Sequence, residues 1–376
     1  MNPDRILVVN AGSSSLKLRV LDRADAVVAS ADLPPPRGPE DAAAVGAAVG
    51  SLGAVDAVGH RIVHGGTSFL GPVRLDDRVR ARIAGLTSLA PLHQPKAIAA
   101  LDAVSEVLPD HPAVACFDTA FHAQMPEAAA TYALPAPWRQ RWDLRRYGFH
   151  GLSHAYASRR AAELLGVPLA DLRLVTCHLG AGASLAAVLG GRSVDTTMGF
   201  TPLEGLVMAT RSGTVDPGLV LWLADNVGMP PAELAATLEH RSGLLGLAGT
   251  ADMREILDAA GAGEPRARLA LEVYLHRLRR EIAAMTAALG GLDAIVFTGG
   301  VGERSAPIRA MAADGLGHLG IVLDPERNAA GSPADREIGV AGGAVRALVV
   351  TAREDVEIAA EVRAVLDTAE APSPGT

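Results

Sequence analysis

Aromatic residues are scarce in this chain: Phe, Trp and Tyr together make up 3% of 376 residues. Any core must therefore be built from Ala, Val, Leu and Ile, which a hydrophobic content of 49% supplies in quantity. Cysteine is scarcer still. Cys116 and Cys177 are the only two and lie in apolar runs, too few for a disulfide scaffold or a four-cysteine zinc site and in keeping with a reducing cytoplasm. No apolar run approaches the ~18–20 residues of a membrane span. The opening Met1-Asn2-Pro3-Asp4-Arg5 lacks the parts of a signal peptide, so a cytoplasmic protein away from membranes is expected. Positive charge is short as well, and a net charge of −8 argues against a broad nucleic-acid surface. Of 34 basic residues only Lys17 and Lys96 are lysine.

What is present is an α/β pattern. Short apolar, β-branched runs alternate with longer Ala/Leu/Arg segments. Strands are predicted at 6–10, 16–21, 57–63, 113–117, 174–178, 184–189, 294–298 and 347–351, and helices at 81–88, 94–107, 154–165, 231–240 and 265–289. Length predicts about two domains of ~100–200 residues. A repeat supports this: Ile6–Leu18 and Leu174–Leu185 both read as strand, turn of small residues, strand. The boundary is expected between about 120 and 150, near Leu134-Pro135-Ala136-Pro137. The stretch 34–39 reads as a proline-rich loop and 371–376 as a frayed tail.

Several clusters have the composition of an anion site. The turn Gly12-Ser13-Ser14-Ser15, flanked by Asn10 and Lys17, offers N–H groups and hydroxyls without bulk. An ordinary surface turn explains it equally well. The run Gly180-Ala181-Gly182 is not a dinucleotide fingerprint and the Lys17 segment is not a P-loop, because neither opens a helix. Gly299-Gly300-Val301-Gly302, after an apolar strand, permits flat approach of a nucleoside or makes a tight strand-to-helix turn. Arg61 and Arg211 sit in apolar or glycine-rich sequence, where a guanidinium needs either a carboxylate or phosphate oxygens. Asp118 follows a strand and suits a magnesium ion or its waters, or a helix cap. The i, i+4 histidine pairs 60/64 and 150/154 lack an H-E-x-x-H context, so zinc is disfavoured. No G-x-S-x-G elbow is present.

Taken together, Asn10–Lys17, Gly59–Gly66, Phe117–His122, Tyr147–Gly151, Met198–Gly205, Asp252–Arg254 and Phe297–Glu303 resemble the acetate kinase family, within the superfamily of actin, sugar kinases and heat-shock ATPases. The resemblance implies two duplicated actin-like (ribonuclease H-like) α/β domains, residues 1–122 plus 357–376 and residues 123–356, with an ATP cleft between them. It implies a cytoplasmic homodimer that reversibly moves a phosphoryl group from ATP to acetate. By the same resemblance Arg61, Asp118, His150 and Arg211 are catalytic, and Arg61, Val63, Leu92, Phe149 and Pro202 meet the substrate. Ser13, Ser15, Lys17, His178, Gly180, Asp252, Met253, Arg254, Gly299, Gly300 and Val301 bind the nucleotide. Asn10 and Glu354 organise Mg²⁺, with Mn²⁺ as an alternative.

The chemistry suits these residue types. A carboxylic acid of pKa ~4–5 is already ionised at neutral pH, so its oxygen needs no general base. The barrier is electrostatic, and cations that neutralise the meeting anions lower it. Four positions depart from the family pattern: Ala181 stands for the usual asparagine, Gln94 and Lys96 alter the His93 surroundings, and Thr214 replaces an aspartate three places after Arg211. The rival expectations are a propionate or other short-chain carboxylate kinase and a nucleotide-binding regulator that has lost transfer.

Overall fold

Both predicted hairpins form, and each lies at the heart of a six-stranded sheet. The computed structural model describes residues 3–12, 15–34, 41–91, 93–331 and 334–368. The first sheet contains β1 (Ile6–Ala11), β2 (Leu16–Leu21), β3 (Val27–Leu33), β4 (Ala57–Ile62), β5 (Val73–Arg74) and β6 (Ala113–Phe117) in the order 3-2-1-4-6-5. The second contains β7 (Arg173–Leu179), β8 (Ala183–Leu189), β9 (Arg192–Thr196), β10 (Ala294–Thr298), β11 (Arg336–Glu337) and β12 (Arg346–Val349) in the order 9-8-7-10-12-11. The two orders match strand for strand, which confirms the duplication read from the repeat. In each sheet three central strands run parallel, β1-β4-β6 and β7-β10-β12, and the remaining strands are antiparallel.

Parallel central strands are buried on both faces, and the sequence of β1 shows how. Leu7 and Val9 pack on one side with Val45, Val49, Ala100 and Val104 of the helices Ala42–Ser51 and Gln94–Val107. Ile6 and Val8 pack on the other with Ile358, Ala359 and Val362 of the helix Glu354–Thr368. That helix comes so close to β4 that a Cβ at Gly59 would lie 2.5 Å from Ile358 Cγ2 and 2.8 Å from Val362 Cγ2.

The described residues divide into two compact units. Unit 1 takes the chain up to Gln124, the segment Phe149–Tyr156 and the chain from Arg353 onward. Unit 2 takes Met125–Gly148 and Ala157–Ala352. Among the described residues no helix is long and apolar enough to cross a membrane.

The helix expected at 81–88 begins earlier, at Asp77, because the Asp76 side chain accepts from the Val79 N–H and caps it. The glycine cluster after β10 is helical over Gly299–Arg304. The loop assigned to 34–39 lies outside the described residues except for Pro34, and the tail 371–376 lies wholly outside them.

Candidate functional site

In unit 1 the predicted residues gather at the carboxyl ends of the parallel strands, where open α/β sheets bind ligands. Register makes this inevitable: Val9 pairs with His60 and Arg61 with Cys116, so Asn10, Arg61 and Asp118 emerge side by side. Arg61 Nε donates to Asp118 Oδ1 at 3.0 Å and Nη2 to Oδ2 at 2.6 Å, a bidentate pair. Its Nη1 donates to Asn10 Oδ1 at 2.9 Å and lies 3.8 Å from Glu354 Oε2. Asn10 Nδ2 in turn donates to Glu354 Oε2 at 2.9 Å. The Arg61 and Asp118 side chains are only 13% and 2% exposed, so the pair is largely shielded from water. Burial works against the guanidinium charge, but Asp118 and Glu354 outweigh it and hold the Arg61 pKa above its usual value. One guanidinium against two carboxylates leaves this cluster negative.

His150 joins the same unit in an uncommon backbone state. Its φ is +57°, a left-handed conformation for a residue with a Cβ. The next residue shows why the chain accepts it: Gly151 N donates to the Asp118 carbonyl at 2.9 Å, and a Cβ on Gly151 would overlap that carbonyl. The helix Gly151–Leu165 therefore begins directly on Asp118. Phe149 is buried against the His64 ring, with centroids 5.5 Å apart, and Val63 is buried beside it in sequence. Ser15 closes the β1–β2 turn through its carbonyl, which accepts from Gly12 N at 2.9 Å. Lys17 is exposed, paired in register with Asn10 on β1 and with Asp32 on β3. Ser13 and Leu92 lie outside the described residues.

Unit 2 carries the remainder. His178 is the penultimate residue of β7, and Gly180 N donates to the Gly182 carbonyl at 3.0 Å across the tight turn. Ala181, where the family's asparagine is missing, is exposed, and its carbonyl accepts from Ala209 N at 3.1 Å. Gly299 has φ +76°, and a Cβ there would stand 2.9 Å from the Leu179 carbonyl oxygen, so the turn after β10 lies against the end of β7. Gly300 is exposed and Val301 half-buried on the helix that follows. Asp252 caps the helix Met253–Gly261 by accepting from Arg254 N, and the Arg254 guanidinium bonds it a second time. Those bonds pull its pKa down to about 2. Met253 is buried and Pro202 half-buried.

Arg211 stands in surroundings unlike those of Arg61. It is half-buried, and among the described residues its only side-chain contact of hydrogen-bond type is Met208 Sδ at 4.0 Å. Burial pulls its pKa below the usual value, opposed only by the more distant charge of Glu239. Its backbone is held firmly, since Met208 N donates to the Arg211 carbonyl at 3.1 Å and a Cβ on Gly243 would overlap it. Thr214, the substituted aspartate, bonds Gly205 twice, through its N–H and its hydroxyl, at 3.0 Å each.

Sequence reasoning missed the supports. Thr119 Oγ1 accepts from Gly65 N at 3.0 Å, and His122 Nε2 meets the Phe149 carbonyl at 3.0 Å. Burial pushes His60, His64 and His122 down to about 4, so all three are neutral at pH 7. A carbonyl only accepts, so in the neutral His122 ring the proton sits on Nε2. His64 is the same tautomer, because its Nδ1 accepts from Gly66 N at 2.9 Å and leaves the proton on Nε2. The signal for the helix at Glu354 was present in the acidic first turn, Glu354, Asp355 and Glu357.

Known proteins place this geometry in context. The acetokinase family profile matches residues 45–360. An acetate kinase of Deinococcus deserti is 47% identical over 96% of this chain and 97% of its own. The solved acetate kinase of Porphyromonas gingivalis shares 36% identity and a TM-score of 0.89 over 96% of this chain and 100% of that one. A solved propionate kinase of Francisella tularensis shares 34% identity and a TM-score of 0.85 over 95% and 98%. With five-sixths of its length matched by one profile and nearly all of it by close relatives, the chain belongs to the acetokinase family.

Proposed function

We propose that this protein is an acetate kinase, a phosphotransferase with a carboxyl group as acceptor. The observation that carries the reading is the contrast between two guanidinium groups: Arg211, half-buried with no oxygen partner among the described residues, and Arg61, locked to Asp118. A cation held in place without an anion is the group a phosphoryl or carboxylate oxygen would complete. In the reaction a carboxylate oxygen attacks the γ-phosphorus of ATP. The bond to the β-bridging oxygen breaks with its electron pair going to ADP, and acetyl phosphate is formed. No proton moves, which suits a site where Asp118 is already committed to Arg61 and does not serve as a base. Arg61 and Arg211 neutralise the meeting anions, His150 donates to the transferring phosphoryl, and Asp252, Met253, Arg254, Gly299, Gly300 and Val301 bound the nucleoside.

The oxygens of Asn10 and Glu354 in the negative cluster of unit 1 suit Mg²⁺ or Mn²⁺, hard cations that bind through one or two protein oxygens plus substrate phosphates. When bound, the metal supplies charge neutralisation on the phosphates. The same proposal includes a cytoplasmic setting, supported by two buried free cysteines. It includes a homodimer, supported by exposed Leu219, Leu221, Trp222 and Val227 along one stretch of unit 2. Light scattering during gel filtration, giving twice the 38.7 kDa chain mass, is the expected result.

The second reading, a propionate kinase, is favoured by the likeness to the Francisella protein. Trapping of acyl phosphate with hydroxylamine across acetate, propionate and butyrate decides between them. Acetate is expected to give the highest kcat/KM. A preference of more than about tenfold for propionate, roughly 1.4 kcal/mol, makes the protein a propionate kinase. Failure to form hydroxamate from any carboxylate removes the kinase reading altogether.

A further inference from the structure

Pro202, in unit 2, is one of the residues that the family resemblance sets against the substrate, and proline has no N–H with which to anchor itself. The geometry points to three side chains outside the predicted site, Tyr132, Arg146 and Glu204, as positioning residues that fix the Pro202 loop and so the carboxylate chain length accepted. The inference rests on the carboxylate-kinase reading.

Glu204 is the centre of the frame. Its Oε2 accepts from the Tyr132 hydroxyl at 2.6 Å and its Oε1 from Arg146 Nη2 at 2.7 Å. The Tyr132 oxygen also accepts from Phe200 N at 2.9 Å, so one phenol ties the carboxylate to the middle of the loop. Arg146 Nη1 faces the other end of the loop, where the carbonyls of Thr196, Thr197 and Met198 accept at 3.2, 3.3 and 3.0 Å. Gly199 completes the arrangement. A Cβ there would overlap both the Glu204 carboxylate and the Tyr132 hydroxyl, so only glycine admits the frame. The Gly199 carbonyl accepts from Tyr147 N at 3.1 Å, and Gly205 is held by Thr214.

Phe200, Thr201, Pro202 and Leu203 are thus suspended between fixed points on both sides. The polarity of the frame is set as well. Burial, with Glu204 adding to it, pushes the Tyr132 phenol up, so it remains a donor at every physiological pH. A small displacement of an apolar wall decides whether one further methylene fits, and such differences are worth tenfold or more in specificity.

Tyr132→Phe tests this. It removes the two hydroxyl bonds and leaves the Arg146–Glu204 pair and the ring in place. The expected result is a rise of about 3–10-fold in the propionate-to-acetate ratio of kcat/KM, a higher KM for acetate and an unchanged KM for ATP. Glu204→Gln, nearly isosteric, is expected to act in the same direction and carries the comparison if Tyr132→Phe does not fold. A lowered melting temperature with the substrate ratio unchanged would make the frame merely structural and overturn the inference. So would parallel increases in both KM values. If the wild type phosphorylates no carboxylate, the kinase reading fails on its own. Hydrogen exchange then tests the frame: Tyr132→Phe should speed exchange at Phe200 N, and an unchanged rate overturns it.

Discussion

Arg61 in unit 1 is met by two carboxylates and an amide, whereas Arg211 in unit 2 is met by a thioether. Burial opposes the charge at both. At Arg61 the carboxylates win and the pKa rises; at Arg211 burial wins and it falls. On the proposed reading, the difference separates two jobs that a guanidinium performs in phosphoryl transfer. A cation already paired is oriented before any substrate arrives, and a cation left unpaired retains its full attraction for one. On that reading Arg61 has its electrostatics stored in the folded state, and Arg211 leaves them to binding.

The largest expected effect separates stability from turnover. Arg61→Ala and Arg211→Ala should each cut kcat by about 10²–10³, the cost of removing one electrostatic donor. Their stabilities should diverge. Without Arg61, the Asp118 carboxylate is left buried and unpaired, which costs about 3–5 kcal/mol. Without Arg211 no hydrogen bond to an oxygen of the protein is lost, and the change should stay within about 1 kcal/mol. Urea unfolding of both variants beside a steady-state assay makes the measurement. Equal destabilisation would erase the contrast between the two arginines, and near-normal turnover in both would remove them from catalysis.

Acid should sharpen the difference between the units. His60, His64 and His122 all belong to unit 1, and each is pushed down to about 4 by burial. Because the folded-state values lie below the ordinary ~6.5, the unfolded chain binds these protons first. The stability they contribute is complete above about pH 6.5 and is lost progressively as pH falls toward 4. Between pH 6.5 and 5 the loss is about 2 kcal/mol per histidine. Amide exchange in β4 and β6 should therefore accelerate from pH 7 to pH 5, after correction for intrinsic rates, more than exchange in β7 and β10. Equal acceleration in the two sheets would show that the histidines do not control acid unfolding.

The architecture was legible because it is written in short-range pattern. Ile6–Val9 and Leu174–Cys177 are apolar enough to be read as strands buried on both faces, and the small-residue turns after them marked the duplication. β3 escaped notice because Val27–Leu33 is an edge strand, half open to solvent, with little apolar pressure on its sequence. The residue types of the site were legible as well, since Arg61, Asp118 and Arg211 stand out against their apolar or glycine-rich neighbours. What could not be read was pairing. Asp118 lies 57 residues from Arg61 and meets it through register across parallel strands, whereas Glu354 lies 344 from Asn10 and meets it because its helix packs on β1. The same holds for Glu204, which is 72 residues from Tyr132 and has no local feature that marks it as a hub.

Thr214 gives the smallest and most local comparison. In the family pattern an aspartate at this place would set a carboxylate three residues from Arg211; here a neutral hydroxyl occupies it and turns to Gly205 N instead. The loop is nonetheless doubly tied, because Thr214 N also donates to the Gly205 carbonyl. Thr214→Ala removes the hydroxyl bond and keeps the backbone one, so the cost should be about 1 kcal/mol, the net value of a single neutral hydrogen bond. Turnover should stay within about threefold, roughly 0.7 kcal/mol, because the Arg211 carbonyl remains fixed by Met208 and the tight fit of Gly243. A loss of turnover as large as that of Arg211→Ala would mean that the hydroxyl, rather than the backbone, holds the unpaired guanidinium in its working position.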